Sequence, residues 1–184
     1  MSATPPRPGQ GETERRLHEI LRVDHAGELA AVHIYRAQAA VFAATPHQSL
    51  SGDLKRMEAE EEVHLQRFET LLREKQIRPT ALAPVWRLAA LGLGAGTALL
   101  GQKAAHACTE AVESVIADHY AEQIAETKDR DPELSAQLTQ FRDDELRHHD
   151  HAIEEGAHEA PMYPLLTAVI KTGCRVAIKL SEKI

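Results

Sequence analysis

The sequence has few aromatic residues, few cysteines and a deficit of basic charge, and each shortage narrows the possible class of protein. Aromatic residues make up 4% of the chain while hydrophobic residues make up 43%, and the abundant Ala, Leu, Glu and Gln favour helices. Two cysteines, Cys108 and Cys174, provide no disulfide framework, so a reducing cytoplasm is the expected compartment. A formal net charge of -7 argues against nucleic-acid binding.

The N-terminal segment also lacks the features of a targeting signal. The sequence MSATPPRPGQGE contains no apolar signal core and few basic residues. We therefore expect residues 1–12 to form a disordered tail. Residues 13–184 are long enough for one domain with a full core.

The rest of the chain divides into six helical runs separated by Pro, Gly and Ser. The predicted helices cover roughly residues 13–44, 53–76, 85–101, 102–128, 132–156 and 165 onwards. Asp131 is the predicted N-cap of the fifth helix, with Pro132 as its first residue. No segment alternates apolar and polar residues as a half-buried strand does, so the sequence predicts an all-α fold.

Two of these helices carry a carboxylate and an imidazole where the apolar pattern calls for core residues. In MEAEEEVHLQRF, Glu61 and His64 fall on seven-residue rows that otherwise contain Leu, Met and Phe. In FRDDELRHHD, Glu145 and His148 occupy equivalent rows. Because a helix places residues i and i+3 on one face, each E-x-x-H pair can bind one metal ion.

Each of these motifs has a partner helix with one Glu in an apolar row. Glu28 lies in the first run and Glu113 in the fourth. Glu28 precedes Glu61 by 33 residues, and Glu113 precedes Glu145 by 32. These matching separations predict an internally duplicated helix pair, each copy supplying one lone Glu and one E-x-x-H.

A third E-x-x-H, from Glu155 to His158, is interpreted as accidental. It spans Gly156 at a predicted helix end, shortly before Pro161. Such motifs arise by chance in a chain rich in Glu and His, and any one of these residues alone is more often solvated or an ordinary core histidine. The repetition of the other two motifs is what favours a metal site.

Four buried carboxylates are too costly unless cations neutralise them, and two divalent metals supply that charge. A Glu from each of two helices plus E-x-x-H from two others is typical of ferritin-like di-iron and di-manganese four-helix bundles. Oxygen and imidazole ligands suit iron or manganese. Asp24, Asp144 and His119 lie about one turn from ligand positions, so they are candidates for orienting the ligands or are ordinary surface groups.

The third and last helices have unusual surfaces. Residues 88–101 contain no charge and follow Trp86, which suits an interfacial or core helix better than a membrane span. The glycines of GLGAG have no preceding strand, so they indicate close helix packing and not a nucleotide loop.

The last helix has a basic stripe beside an apolar face, which favours binding to an anionic membrane surface over a merely solvated face. The stripe consists of Lys171, Arg175, Lys179 and Lys183.

The sequence resembles the demethoxyubiquinone hydroxylases of ubiquinone biosynthesis from about Leu21 onwards. The resemblance is carried by LRVDHAGE, RPTALAPVW, LGAGTALLG, ACTEAVE, HYAEQI, FRDDELRHHD and GCRVAIKLSE, in that order. It implies a membrane-associated di-iron monooxygenase that hydroxylates a polyprenyl demethoxyquinone with O2. It also implies NADH as a possible electron source, a lipid-binding partner protein, and His119 and Tyr120 near the iron site. The metal ligands it implies are Glu28, Glu61, His64, Glu113, Glu145 and His148.

Several interpretations remain open at this point. The expected arrangement has Glu61 and Glu145 bridging two irons, although Glu58 or Glu60 is a conceivable substitute for Glu61. A ferritin-like iron-storage or peroxide-scavenging protein is the main alternative, and a peripheral membrane scaffold with a structural metal is a third. The predicted location is the cytoplasmic face of a bacterial inner membrane, without a membrane span.

Overall fold

The computed structural model describes residues 10–46 and 48–184, and all regular structure in these ranges is helical. The predicted all-α fold is therefore confirmed for the described residues. The six α-helices and one short 3₁₀ helix are α1 (Gln10–Ala43), α2 (Gln48–Glu74), α3 (Ala83–Leu99), α4 (Gln102–Thr127), α5 (Pro132–Glu154), the 3₁₀ helix (Ala157–Glu159) and α6 (Tyr163–Ser181).

The helix ends follow local chemistry. Asp131 caps α5 as predicted, since its Oδ1 accepts a hydrogen bond from the backbone N–H of Leu134 at 3.1 Å. Gly156, with a φ of 88°, ends α5 in the left-handed conformation that glycine tolerates. Of the expected tail, residues 1–9 lie outside the described residues, whereas residues 10–12 belong to α1.

The second helix begins five residues earlier than predicted, at Gln48 instead of about 53. Buried Leu50 explains this extension, because it packs in a core cluster with residues of α1. Ser51 adds a tie to the same helix by donating its hydroxyl to the carbonyl of Ala39 at 2.9 Å. Tertiary packing thus overrides the turn-like composition of this segment.

The helices form two closely packed pairs with two covering helices. α1 pairs with α2 and α4 pairs with α5, while α3 packs along α1 and α6 packs against α4. Gly94 permits the close approach of α3, because a Cβ there would lie 2.4 Å from the carbonyl oxygen of Ile34. The predicted packing role therefore holds for Gly94. Gly92 and Gly96 are exposed, and a Cβ added at either position would meet no neighbouring atom within 4 Å.

Two apolar clusters flank a polar layer in the middle of the paired helices. One cluster contains Leu21, Phe68 and Tyr120, and the other contains Tyr35 and Met57. Along α1, α2 and α4 the predicted glutamate ligands lie between these two clusters, and along α5 Glu145 follows Phe141 of the first cluster.

Candidate metal centre

All six predicted ligands converge in the polar layer between the two helix pairs. They form two groups in which the potential ligand atoms lie within 4.8 Å of one another. Every member is at most 3% exposed. The groups are Glu28, Glu61, His64 and Glu145, and Glu61, Glu113, Glu145 and His148. Glu61 and Glu145 belong to both groups, as expected of carboxylates that bridge two metal ions.

The two histidines point the same ring nitrogen into the layer. His64 Nδ1 lies 3.1 Å from Glu145 Oε1 and 3.6 Å from Glu28 Oε2. His148 Nδ1 lies 3.0 Å from Glu61 Oε1 and 3.6 Å from Glu145 Oε2. Because each E-x-x-H spans one helical turn, the backbone brings each histidine beside the glutamate of its own motif without distortion.

The opposite ring nitrogens contact two further carboxylates, Asp144 and Glu60, which we call the outer carboxylates. His64 Nε2 lies 3.2 Å from Asp144 Oδ2, and His148 Nε2 lies 2.8 Å from Glu60 Oε2. With a metal ion at Nδ1, an acceptor at Nε2 would fix the tautomer that carries its proton on Nε2. Arg147 pairs with both outer carboxylates, at 3.1 Å from Glu60 and more closely with Asp144.

Two tyrosines link the halves at the lone glutamates. Tyr35 of α1 donates its hydroxyl to Glu113 of α4, and Tyr120 of α4 donates to Glu28 of α1. Both contacts are short and fully buried. Each tyrosine follows the glutamate of its own helix by seven residues, so the duplicated register extends beyond the predicted ligands.

Sequence reasoning missed the roles of Tyr35 and Glu60. Tyr35 lies in the apolar row of Glu28, seven residues further on, and that row alone predicts no contact with α4, while Glu60 is predicted only as a substitute ligand for Glu61. The signal was present, because an acid precedes the glutamate of both E-x-x-H motifs and a tyrosine follows both lone glutamates. Comparing the two halves position by position would have found both residues.

The unpaired polar atoms of the layer fit a cationic ligand. Both carboxylate oxygens of Glu61 and of Glu145 are buried and have no hydrogen-bond partner among the described residues. The same holds for Nδ1 of both histidines and for one oxygen each of Glu28 and Glu113. Buried acceptors without donors are costly unless a cation is bound. The mixture of carboxylate and imidazole suits a divalent transition metal.

Burial and neighbouring charges shift the pKa values of several residues in the layer. Burial raises the pKa of Glu28 to about 7 and raises the pKa of Glu113 well above its usual value. Burial lowers the pKa of His148, but the neighbouring carboxylates of Glu145 and Glu61 outweigh burial and raise this pKa to about 11. The pKa of His64 is raised in the same way, against burial, by its carboxylate neighbours.

The remaining candidates lie apart from the ligand atoms. Buried Asp24 accepts a hydrogen bond from Gln123 Nε2 at 2.7 Å, and burial raises its pKa. His119 is half-buried, and burial lowers its pKa. Glu155 and His158 are exposed on either side of the helix break at Gly156, so the third E-x-x-H does not join the cluster.

A mostly apolar cavity of about 390 Å³ lies between α1, α3, α4 and α6 and reaches the polar layer at Glu28, one of the predicted ligands. Asp24, His119 and Tyr120 also line it, and Tyr120 connects the cavity to the layer through its hydrogen bond to Glu28. Trp86, the single tryptophan of the chain, lines the cavity and donates its indole N–H to Ser181 at 2.9 Å. A separate polar cleft of about 490 Å³ between α2 and α5 borders His148.

These features define a helical protein with a candidate metal site of buried carboxylates and imidazoles, beside a mostly apolar cavity. Residues 15–181 match the profile of the family described as "Ubiquinone biosynthesis protein COQ7". The chain belongs to this family, which confirms the resemblance found in the sequence.

Curated relatives match along most of their own length. A 3-demethoxyubiquinol 3-hydroxylase of Rhodospirillum rubrum is 44% identical over 177 residues, covering 96% of this chain and 82% of the relative. The human NADPH-dependent 3-demethoxyubiquinone 3-hydroxylase, mitochondrial, is 46% identical over 169 residues, covering 90% and 76%. The 5-demethoxyubiquinone hydroxylase, mitochondrial, of Saccharomyces cerevisiae is 42% identical over 184 residues, covering 91% and 78%.

Proposed function

We propose that this protein is an O2-dependent di-iron hydroxylase that hydroxylates the ring of a polyprenyl demethoxyquinone in ubiquinone biosynthesis. The observation that carries the proposal is the junction at Glu28, where a carboxylate–histidine layer with two shared glutamates meets an apolar cavity. The names of the relatives supply the substrate class. The fold we propose is a ferritin-like four-helix bundle, formed by residues 13–184 as one domain.

The chain's own residues suit the binding of two iron ions. Glu28, Glu61, His64 and Glu145 would hold one ion and Glu61, Glu113, Glu145 and His148 the other, with Glu61 and Glu145 shared between the two sites. When bound, the iron pair supplies the activation of O2 and its electron chemistry. The outer carboxylates keep each histidine in its metal-binding tautomer, and the two tyrosines hold the lone glutamates in position.

The apolar cavity binds the quinone ring beside the layer and excludes water from it. Its walls are largely aliphatic, which suits an isoprenoid-substituted ring. His119 and Tyr120 border it where the ring approaches Glu28. Electrons come from a reduced nicotinamide: the sequence-based prediction is NADH, and the names of the mitochondrial relatives contain NADPH.

We also propose that the substrate reaches the cavity from a membrane surface. No helix among the described residues has both the length and the apolarity needed to cross a bilayer. Several large apolar residues are nevertheless exposed on two of the four helices that border the cavity. They are Val85, Leu88 and Leu99 on α3, and Leu165, Val169, Val176 and Leu180 on α6. An apolar surface around a cavity mouth suits peripheral binding at the cytoplasmic face of a bacterial inner membrane, where a lipid-binding partner protein would deliver the quinone.

The basic stripe is smaller than the sequence suggested. Lys171 forms an ion pair with buried Glu110 at 3.0 Å, so it is not available to bind lipid phosphates. Arg175, Lys179 and Lys183 are exposed and form no ion pair with the described residues. These three cations are the ones we expect at an anionic membrane.

A turnover experiment tests the proposed function directly. The iron-loaded protein is incubated with a reduced nicotinamide, O2 and a short-tailed demethoxyquinone, and the product is analysed by mass spectrometry. Incorporation of one atom of isotopically labelled oxygen into the ring is the expected result. Oxidation and accumulation of iron without a hydroxylated product would instead favour the iron-storage alternative.

A further inference from the structure

Two glycines line the cavity within helices, at positions where glycine has no structural purpose. Gly27 lies in α1 and Gly173 in α6, and both border the cavity. Glycine in a helix interior is less stable than alanine, because it loses more backbone freedom on folding. A helical glycine therefore calls for a compensating reason.

The usual structural reasons are absent at both positions. Neither residue has the positive φ of Gly101 or Gly156. A Cβ built on Gly27 or on Gly173 meets no neighbouring atom within 4 Å, in contrast to Gly94, where a Cβ would collide with α1. Backbone conformation and helix packing thus both permit alanine. The space that the missing side chains leave open is cavity space.

Polar atoms in the same cavity independently indicate a ligand. Asp24, which is 4% exposed, lines the cavity beside Gly27, and its Oδ2 has no hydrogen-bond partner among the described residues. Such a buried carboxyl group calls for a polar partner. A quinone or quinol ring oxygen supplies one, whereas an aliphatic chain does not.

We infer that Gly27 and Gly173 are specificity-determining residues of the cavity, Gly27 leaving room for the quinone ring and Gly173 for its isoprenoid tail. The assignment rests on the proposed function. Gly27 is adjacent to Glu28 and half-buried, so it lies at the end of the cavity that meets the metal layer. Gly173 is exposed, with Cys174 and Ala177 on the same wall, and therefore lies at the mouth.

Opposite effects on stability and on binding distinguish this role from a packing role. Gly27→Ala should raise Tm by about 2–4 °C, because it removes a helix-interior glycine without a clash. The same change should weaken binding of a short-tailed demethoxyquinone by about tenfold, since the added methyl group overpacks the occupied cavity. Gly27→Leu should abolish binding. Gly52→Ala is the matched control, because Gly52 is exposed in α2, away from the cavity, and a Cβ there meets no neighbouring atom.

Trp86 provides a binding assay that does not depend on metal or turnover. As the only tryptophan, it reports on the cavity that it lines, and quinones quench indole fluorescence. Metal-free parent and variants are titrated with the quinone, and kcat/KM is then measured on the iron-loaded proteins. For Gly173→Leu, we expect the ratio of long-tailed to short-tailed kcat/KM to fall at least tenfold, with iron content unchanged.

The outcomes separate this inference from the proposed function. A parent protein that neither binds nor hydroxylates the quinone overturns the proposed function and removes the basis of the inference. If the parent binds and reacts but Gly27→Leu does so equally well, only the inference is overturned. A fall in Tm for Gly27→Ala would show that the glycine serves packing, and an unchanged tail-length ratio for Gly173→Leu would remove the role of Gly173.

Discussion

The metal-free protein should lose stability as the pH rises from 6 to 8. Glu28 and His148 hold their protons more tightly in the folded chain than in the unfolded chain, with folded pKa values of about 7 and about 11. For a group with a raised folded pKa, the stabilising contribution is complete below the unfolded pKa and is lost as pH rises through the folded pKa. The window from pH 6 to pH 8 lies within this range for both groups.

The size of the effect follows from the same pKa values. Between pH 6 and pH 8 the free energy of unfolding should fall by about 1 kcal/mol through Glu28 and by about 2 kcal/mol through His148. His64, whose pKa is also raised, acts in the same direction. For a chain of 184 residues, a loss of about 3 kcal/mol corresponds to a fall in Tm of about 6–12 °C.

Bound metal should reverse this trend, because it displaces the protons from its ligands. Metal affinity then rises with pH, and the Tm gained on adding metal should be larger at pH 8 than at pH 6. Melting curves followed by circular dichroism, with chelator or with excess Fe²⁺ under anaerobic conditions, measure both slopes at constant ionic strength.

Matched variants test whether the slope originates in the polar layer. Glu28→Gln cannot titrate, so its metal-free Tm should fall less between pH 6 and pH 8. The exposed pair Glu155→Gln and His158→Gln should leave the slope of the parent intact. A metal-free Tm that stays constant or rises over this range would refute the assigned protonation states.

Three further predictions concern single features of the site and the surface. Glu145→Ala should lose all bound metal, because Glu145 belongs to both ligand groups, whereas Glu155→Ala should retain its metal. Metal analysis after gel filtration measures this, and equal loss from both variants would contradict the prediction. Arg147→Gln should weaken metal binding by roughly tenfold in a chelator competition, since Arg147 pairs with both outer carboxylates. Arg142→Gln, on the same helix, is the control, and equal affinities would exclude a positioning role for Arg147. Replacing three exposed cations near the C-terminus by Gln should weaken flotation with anionic vesicles and reduce the salt sensitivity of that flotation, while iron content stays unchanged. Equal flotation of the variant and the parent at low salt would contradict an electrostatic contribution. These cations are Arg175, Lys179 and Lys183.

The ligand set could be predicted from the sequence because the buried face of a helix shows a regular spacing of apolar residues, which a buried ligand interrupts. Glu61 and His64 interrupt apolar rows with seven-residue spacing, and a charge at such a position calls for an explanation whatever the fold. The second copy of the pattern then made chance improbable. The helices could be predicted for the same reason, apart from starts such as that of α2, where packing of Leu50 decides.

Contacts between helices could not be predicted in this way. Glu60 lies beside Glu61 in sequence and faces the rim of the layer, and only the position of α5 makes it the acceptor for His148. Lys171 belongs to a regular basic stripe, yet the packing of α6 on α4 pairs it with Glu110. Periodicity along one helix determines which face is buried, but not which residue of another helix lies opposite.

The crossed tyrosine and histidine contacts bear on the ancestry of the chain. Tyr35 donates a hydrogen bond to Glu113 of the other half, and Tyr120 donates one to Glu28. Each histidine likewise contacts an outer carboxylate of the opposite half. One helix pair alone would therefore lack a partner for every one of these groups. A protein with a single pair would complete such a layer only as a homodimer, and the duplicated register is the pattern expected from fusion of two copies. The two halves are not identical, because the position equivalent to Arg147 is the exposed Val63.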